Sequence, residues 1–137
     1  MITRAQALIR GFLQRRKYRV KQLNIDKKTK YFKADENKET LAGTYSQASP
    51  IEQRTHTYKT GAVYTGDWKG GLRHGHGLMK WTDGAIYEGE WAFNSASGQG
   101  KFLHTDGDIY EGKWANNKAN GRGVYTNVKG ARYEGQW

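Results

Sequence analysis

The sequence predicts a mainly β fold, an extended single-layer twisted antiparallel sheet of β-hairpin repeats preceded by a basic amphipathic α-helix. The first observation is a 23-residue period that runs without gaps through the last two thirds of the chain. The second is alternation inside each unit, since Tyr110, Gly112 and Trp114 would share one face of a strand, opposite Glu111 and Lys113. Such a period is typical of arrays whose units are stabilised by their neighbours.

The repeated positions carry tyrosine, glycine and tryptophan in a fixed order. They are Tyr64, Gly66, Trp68, Gly75 and Gly77, then Tyr87, Gly89, Trp91, Gly98 and Gly100, then Tyr110, Gly112, Trp114, Gly121 and Gly123, then Tyr133, Gly135 and Trp137. One period upstream, LAGTY from Leu41 is a weakened copy of YTGDW. The sequence therefore predicts three parts, namely a basic helix at 1–24, a charged linker at 25–40 and a repeat array at 41–137. The array is predicted to consist of a degenerate first repeat at 41–63, three full repeats at 64–86, 87–109 and 110–132, and a partial repeat at 133–137.

Each repeat is predicted to be one hairpin. The polar stretches KGGLRH, AFNSAS and ANNKAN are expected to be six-residue connections between its two strands. The TDG tripeptides at 82–84 and 105–107 are expected to turn the chain into the next unit, because Asp-Gly tolerates positive φ. In a sheet one layer thick, we expect the aromatic rings to lie flat over glycines of neighbouring strands, where no Cβ blocks them.

Composition narrows the function classes. The chain has 137 residues, 36% of them hydrophobic, and no cysteine, which excludes disulfides and thiol catalysis and favours an intracellular location. No apolar run reaches the roughly 18 residues of a membrane span. Of the net charge of +10, all lies in residues 1–33, with eleven Lys and Arg against Asp26, while the remainder is neutral. We therefore do not expect the repeats to bind nucleic acid through bulk charge.

The N-terminal stretch ITRAQALIRGFLQRRKY has the pattern of a basic amphipathic helix, with Ile2, Ala5, Ile9 and Phe12 on one stripe. Such helices are typical of calmodulin targets and of membrane-surface anchors. The linker that follows is expected to be solvated, with a short strand at 31–34.

The repeats resemble the MORN (membrane occupation and recognition nexus) family. The resemblance is carried by YxGxW, HGxG, DG and YEG in YTGDWKGGLRHGHGLMKWTDGAIYEGEW, and it covers residues 41–137. It implies an elongated β-sheet that scaffolds protein assemblies, often in the ciliary or cortical cytoskeleton, with phospholipid binding also proposed for the family. Ser97 and Asn120 replace the histidine of HGxG. The last unit stops after its first strand and leaves an open sheet edge, so we expect either that the chain is a fragment or that a partner pairs with that edge.

The N-terminal helix resembles the IQ motif, apolar-Q-x-x-x-R-G-x-x-x-R-x-x-apolar. The matching residues are Ala5, Gln6, Ile9, Arg10, Gly11, Phe12, Arg15 and Tyr18. The resemblance implies that calmodulin or a calmodulin-like protein grips the stripe around Ile9 and Phe12, with binding that need not require calcium. Ala5 is smaller than the aliphatic residue usual there. The alternatives are a helix docked on another partner or on the sheet, a helix bound to anionic lipid, and a mitochondrial presequence in an arginine-rich, acid-free segment.

The sequence does not predict catalysis, a cofactor or a metal. His74 and His76 could share a strand face, but no third zinc ligand recurs near them. The periodic carboxylates Glu88, Glu111 and Glu134 would stand about 10 Å apart, too far for a shared-proton pair, which favours a solvated face. The periodic tryptophans are expected to stack as structure, or also to form a groove for a partner helix.

The expected function is a noncatalytic scaffold in the cytoplasm, associated with the cytoskeleton and with a cilium as one such location. Its expected partners are calmodulin or a related light chain and the other subunits of a larger assembly. A peripheral membrane adaptor that binds anionic lipid through the same helix is the alternative.

Overall fold

The computed structural model describes residues 31–32 and 48–137, and residues 51–136 form a single open antiparallel sheet of eight strands. The strands are β1 (Ile51–Thr57), β2 (Val63–Lys69), β3 (Leu72–Lys80), β4 (Ile86–Ala92), β5 (Ser95–Leu103), β6 (Ile109–Ala115), β7 (Lys118–Thr126) and β8 (Arg132–Gln136). Every strand pairs with its neighbours in chain order, so the predicted sheet of successive hairpins is confirmed. The predicted helix at 1–24, most of the linker and residues 41–47 lie outside the described residues, and the predicted domain boundaries stay predictions.

The connections inside the hairpins are much shorter than predicted. Strands β4 and β5 are joined by two residues, Phe93 and Asn94, with φ of 50° and 71°, and β6 and β7 by Asn116 and Asn117, with φ of 50° and 66°. Positive φ at both central residues defines the type I′ turn, whose twist matches that of the flanking strands. Four of the six residues in each predicted connection are therefore in strands, and the prediction of six-residue loops was wrong.

The connections between hairpins follow the prediction. The TDG at 82–84 lies between Trp81 and Ala85, whose backbones pair through a 2.9 Å hydrogen bond from Trp81 N to Ala85 O. Gly84 closes the turn at φ +97°, a conformation that glycine adopts without a steric penalty. Asp83 Oδ1 accepts from the N–H of Ala85 at 3.1 Å, which fixes the turn from within.

Each hairpin contains one irregularity that the alternation did not predict. In the pair β6–β7, Gly112 faces Gly123 and Trp114 faces Ala119, so the register shifts between Gly112 and Trp114. The same shift recurs in β2–β3 and β4–β5. Bulges of this kind increase the local twist and bend the strand. The alternation nevertheless survives on the first strand, where Tyr110, Gly112 and Trp114 are buried and Glu111 and Lys113 are exposed, as predicted.

The core consists of aromatic rings packed on glycines across the sheet. A Cβ at Gly100 would lie 2.3 Å from Tyr87 Oη and 2.6 Å from two of the ring carbons of Tyr87. The equivalent contacts are those of Gly77 with Tyr64 and of Gly123 with Tyr110. The predicted packing of rings over neighbouring glycines is therefore confirmed, and it explains why these positions exclude any larger residue.

Replacement of Gly100 by alanine tests this contact. The backbone at Gly100 does not have positive φ, so the added methyl acts through packing against Tyr87 alone. We expect Gly100→Ala to lower the free energy of unfolding by about 1–3 kcal/mol in urea denaturation. Lys101→Ala, at the exposed neighbouring position, is the control and should change it by less than about 0.5 kcal/mol. Equal stability of the two variants would contradict the packing argument.

The strained turn residue Phe93 offers a second test. It is 57% exposed at φ +50°, and the third hairpin carries Asn116 at the equivalent position. A bulky residue with positive φ is rare, and the left-handed region costs roughly 1–2 kcal/mol for most residues but less for asparagine. We expect Phe93→Asn to raise the midpoint of thermal unfolding, even though the ring contact of Phe93 with His74 at 5.1 Å is lost. A lower midpoint would show that this ring contact outweighs the backbone strain.

Candidate functional site

The candidate site is the buried face of the sheet, where three of the four repeat tyrosines are each fixed by a hydrogen bond and by ring contacts with two tryptophans. The hydroxyls of Tyr64, Tyr87 and Tyr110 donate to the backbone carbonyls three residues ahead, at 2.7, 2.8 and 3.0 Å. The ring of Tyr87 meets Trp91 of its own strand at 5.1 Å and Trp114 of the next hairpin at 5.0 Å, both edge to face. Such contacts are favourable beyond the area that they bury, so each tyrosine ties one hairpin to the next.

The repeat tryptophans tie the hairpins together in the same direction. The indole N–H groups of Trp91 and Trp114 donate to the carbonyls of Gly77 and Gly100, at 3.1 and 3.0 Å. Trp68 and Trp137 make the same bond, to Arg54 and Gly123. Trp68, Trp91 and Trp114 are buried, which fits the structural role predicted for them, but their ring contacts within the repeats are edge-to-face contacts with tyrosines and not a stack of tryptophans. Trp137 is only partly buried.

Burial changes the acidity of the tyrosines. It raises the pKa of Tyr110 to about 12, and it raises the pKa values of Tyr64 and Tyr87 further. The ordinary tyrosine pKa is about 10. Each of these phenols therefore keeps its proton, and its role as a hydrogen-bond donor, to higher pH in the folded chain than in the unfolded chain.

The two residues of the linker that the structure describes lie on this aromatic face. Phe32 is surrounded by four rings, those of Trp81, Tyr87, Trp91 and Trp114, with centroids 5.2 to 6.1 Å away. Tyr31 packs beside it, on Trp81, Phe102 and His104 at 5.2 to 6.0 Å. The prediction of a solvated linker is wrong at these two residues, because their rings are half-buried against the core, and neither is in the short strand predicted at 31–34.

Tyr31 is also held by a charged group in a turn. Its hydroxyl donates to Asp83 Oδ2 at 2.5 Å. This bond lowers the pKa of the exposed Asp83 carboxyl and raises the pKa of the Tyr31 phenol. We call the surface that receives Tyr31 and Phe32 the aromatic site, and its members are Trp81, Tyr87, Trp91, Phe102, Trp114 and the carboxylate of Asp83.

Arg73 is a buried charged residue that was not predicted from the sequence. The 23-residue period could have identified it, because it departs from the residue found at this position in the later repeats. It occupies the position where the next two repeats carry Ala96 and Ala119, and it is 2% exposed. Its guanidinium donates to the carbonyl of Asn94 at 2.7 Å and to the hydroxyl of Tyr58 at 3.1 Å, and it lies 4.8 Å from the ring centre of Trp91. A guanidinium over an aromatic face is attracted by the ring quadrupole. Arg73 therefore links the first two described hairpins.

The opposite face of the sheet carries the charged residues. Glu88, Glu111 and Glu134 are exposed, and they lie on alternate strands, as predicted for a solvated face. Glu134 lies 3.6 Å from Arg122 and 3.3 Å from Arg132. Ion pairs this exposed contribute little to stability.

The two histidines of the HGH stretch have separate contacts. His74 Nδ1 accepts from the backbone N–H of Phe93 at 3.3 Å, and His76 Nε2 lies 3.7 Å from Glu88. Within the described part of the chain, no three His, Asp or Glu side chains come together as metal ligands would. The described residues also contain no helix of the length and hydropathy that a membrane span requires.

The raised tyrosine pKa values predict how stability depends on pH. A group whose pKa is higher in the folded state contributes stability that is fully present below the unfolded pKa, about 10, and lost as pH rises through the folded pKa. We therefore expect the free energy of unfolding to fall between pH 10 and 12, measured by urea denaturation at several pH values. Tyr110→Phe removes one titrating group, so its decline should be shallower than that of the wild type. Parallel declines would contradict a raised pKa at Tyr110.

Three consecutive segments of the chain, residues 64–86, 87–109 and 110–132, match the MORN repeat family, each over 23 residues. A comparison with curated proteins finds none that matches the chain. MORN repeats form a non-catalytic family that commonly mediates interactions with proteins or membranes. The matched segments coincide with the hairpin repeats of the sheet and together span half of the chain. This protein therefore belongs to the MORN repeat family.

Proposed function

We propose that the protein is a noncatalytic scaffold, in which the MORN sheet presents an interaction surface and the N-terminal segment recruits calmodulin or a related EF-hand light chain. The observation that supports the scaffold is the use of the repeated side chains. The repeat tyrosines Tyr64, Tyr87 and Tyr110 and the four repeat tryptophans are engaged in packing and hydrogen bonding with their neighbours. A periodic arrangement of this kind suits a long, rigid surface, whereas catalysis needs one asymmetric constellation.

Calmodulin recruitment is supported by the residues at the start of the sequence. Gln6, Arg10, Gly11 and Arg15 have the IQ spacing, and Ile9 and Phe12 supply the apolar side chains between them. An amphipathic helix that lays its apolar face into a groove is a common mode of peptide recognition. The excess of eleven basic residues over one acidic residue in positions 1–33 adds attraction to an acidic partner.

We place this scaffold in the cytoplasm, within a larger cytoskeletal assembly such as that of a cilium. The support is the family alone, whose members often occur in such assemblies. Identification of the subunits that copurify with the full-length chain from native extract tests this placement.

Binding of the full-length chain to calmodulin, measured with calcium and with a calcium chelator, tests the recruitment directly. We expect Ile9→Asp/Phe12→Asp to weaken binding at least tenfold, because two carboxylates would enter an apolar groove. The matched control is Lys27→Gln/Lys28→Gln, which lowers the net charge by the same two units and leaves the IQ-like residues intact. It should change binding only slightly.

The same variants separate calmodulin from lipid. Binding to vesicles that contain anionic lipid should fall similarly in both variants and vanish at high salt, because it follows total charge. A full-length chain that binds such vesicles but binds calmodulin in neither calcium state would overturn the recruitment proposal and favour a peripheral membrane adaptor.

A further inference from the structure

We propose that the aromatic site is a docking site for a partner protein segment with two adjacent aromatic residues flanked by lysines, and that Tyr31 and Phe32 fill it in cis. The inference deepens the proposed scaffold function by naming where one partner binds and what chemistry it has. It is independent of calmodulin recruitment, since none of the IQ-like residues belongs to the site.

The first support is that the occupant comes from outside the sheet. Tyr31 donates to a carboxylate 52 residues away in the sequence, and Phe32 lies against four rings from three segments of the array. Neither residue is part of the 23-residue repeat or of any described strand. The repeats therefore supply a receptor surface for two rings, and a short segment of non-repeat sequence supplies the rings.

The second support is the chemistry of the site. Its floor is aromatic, and one side carries Asp83, with the charge of Asp106 close enough to raise the pKa of Tyr31 further. An aromatic floor beside carboxylates favours a segment in which aromatic and cationic residues alternate or adjoin. The cis occupant has this composition, since Lys30 and Lys33 flank Tyr31 and Phe32 in the sequence.

The third support is that the cis occupant leaves one donor of the site unmatched. Trp81 Nε1 is buried, and it has no hydrogen-bond partner within the described part of the chain. A buried donor without an acceptor is destabilising. A partner segment that places a backbone carbonyl on this indole would satisfy the donor, which gives it an advantage over Tyr31 and Phe32 and allows displacement.

Tethering determines how the two occupants compete. A segment on the same chain is present at an effective concentration that reaches the millimolar range for short flexible connections. A partner segment in trans must therefore overcome this tethered competitor in the wild-type chain. Removal of the cis rings should expose the full affinity of the site.

The test measures binding of a synthetic peptide of residues 27–36, KKTKYFKADE, to full-length chains by fluorescence anisotropy. We expect Tyr31→Ala/Phe32→Ala to bind this peptide at least tenfold more tightly than the wild-type chain. Two control peptides define the chemistry. The peptide with alanine in place of Tyr31 and Phe32 should not bind, and the peptide with glutamate in place of Lys30 and Lys33 should bind more weakly.

A second variant keeps the test decisive if the double alanine variant does not fold. Tyr31→Ala removes only the cis ring that donates to Asp83 and leaves every member of the aromatic site in place, and because Tyr31 is only half-buried the sheet should keep its thermal stability within a few degrees. We expect this variant to bind the peptide better than the wild type does, to a smaller extent than the double variant.

Three results would overturn the proposal. The first is a folded double variant that binds neither the aromatic peptide nor its control. The second is equal binding of both peptides. The third is a dimer of the wild-type chain that Tyr31→Ala/Phe32→Ala abolishes, which would assign the site to the same segment of a second copy. The calmodulin test alters residues 9 and 12 and leaves the aromatic site intact, whereas the docking test alters residues 31 and 32 and leaves the IQ-like residues intact. Either proposal can therefore fail without affecting the test of the other.

Discussion

The structure depends on one contact, the packing of a tyrosine ring on a glycine of the neighbouring strand. A single-layer sheet has no second layer to cover its aromatic side chains, so their apolar area must be buried within the layer itself. Glycine at positions such as Gly100 lets the ring of Tyr87 approach within a distance that any Cβ would block. The tyrosine hydroxyl and the tryptophan indole then reach backbone carbonyls, so burial of these rings leaves the polar groups of Tyr87 and Trp91 satisfied.

Much of the sheet followed from the sequence because its signals are local and repeated. The TDG turns and the alternation of Tyr110, Gly112 and Trp114 are signals that span only a few residues. The 23-residue step repeats such signals along the chain, and the copies reinforce one another. The turns inside the hairpins were predicted wrongly for a local reason. Asn116-Asn117 at the centre of one turn tolerates the positive φ that a type I′ turn requires, but the polar residues that follow it were assigned to a loop. At an exposed strand position, polarity indicates only the solvated face.

The candidate site was less predictable because it breaks the period. Arg73 stands where the later repeats carry alanine, and Tyr31 and Phe32 come from a segment whose charged composition indicates solvent. Long-range contacts such as that of Tyr31 with Asp83 leave no trace in local periodicity. For a repeat protein, the departures from the repeat are therefore the positions where specific function is best sought, since the repeated residues are already committed to the sheet.

Hydrogen exchange of the tryptophan indole N–H groups, followed by NMR, tests the central claim most directly, namely that the aromatic face is one cooperative core. The structure places the indoles of Trp91 and Trp114 in hydrogen bonds to carbonyls of neighbouring strands, fully buried. We predict that both exchange slowly and with similar protection, through opening of the sheet as a unit. Rapid exchange of either indole under native conditions would contradict this account, because it would show that the rings are open to water.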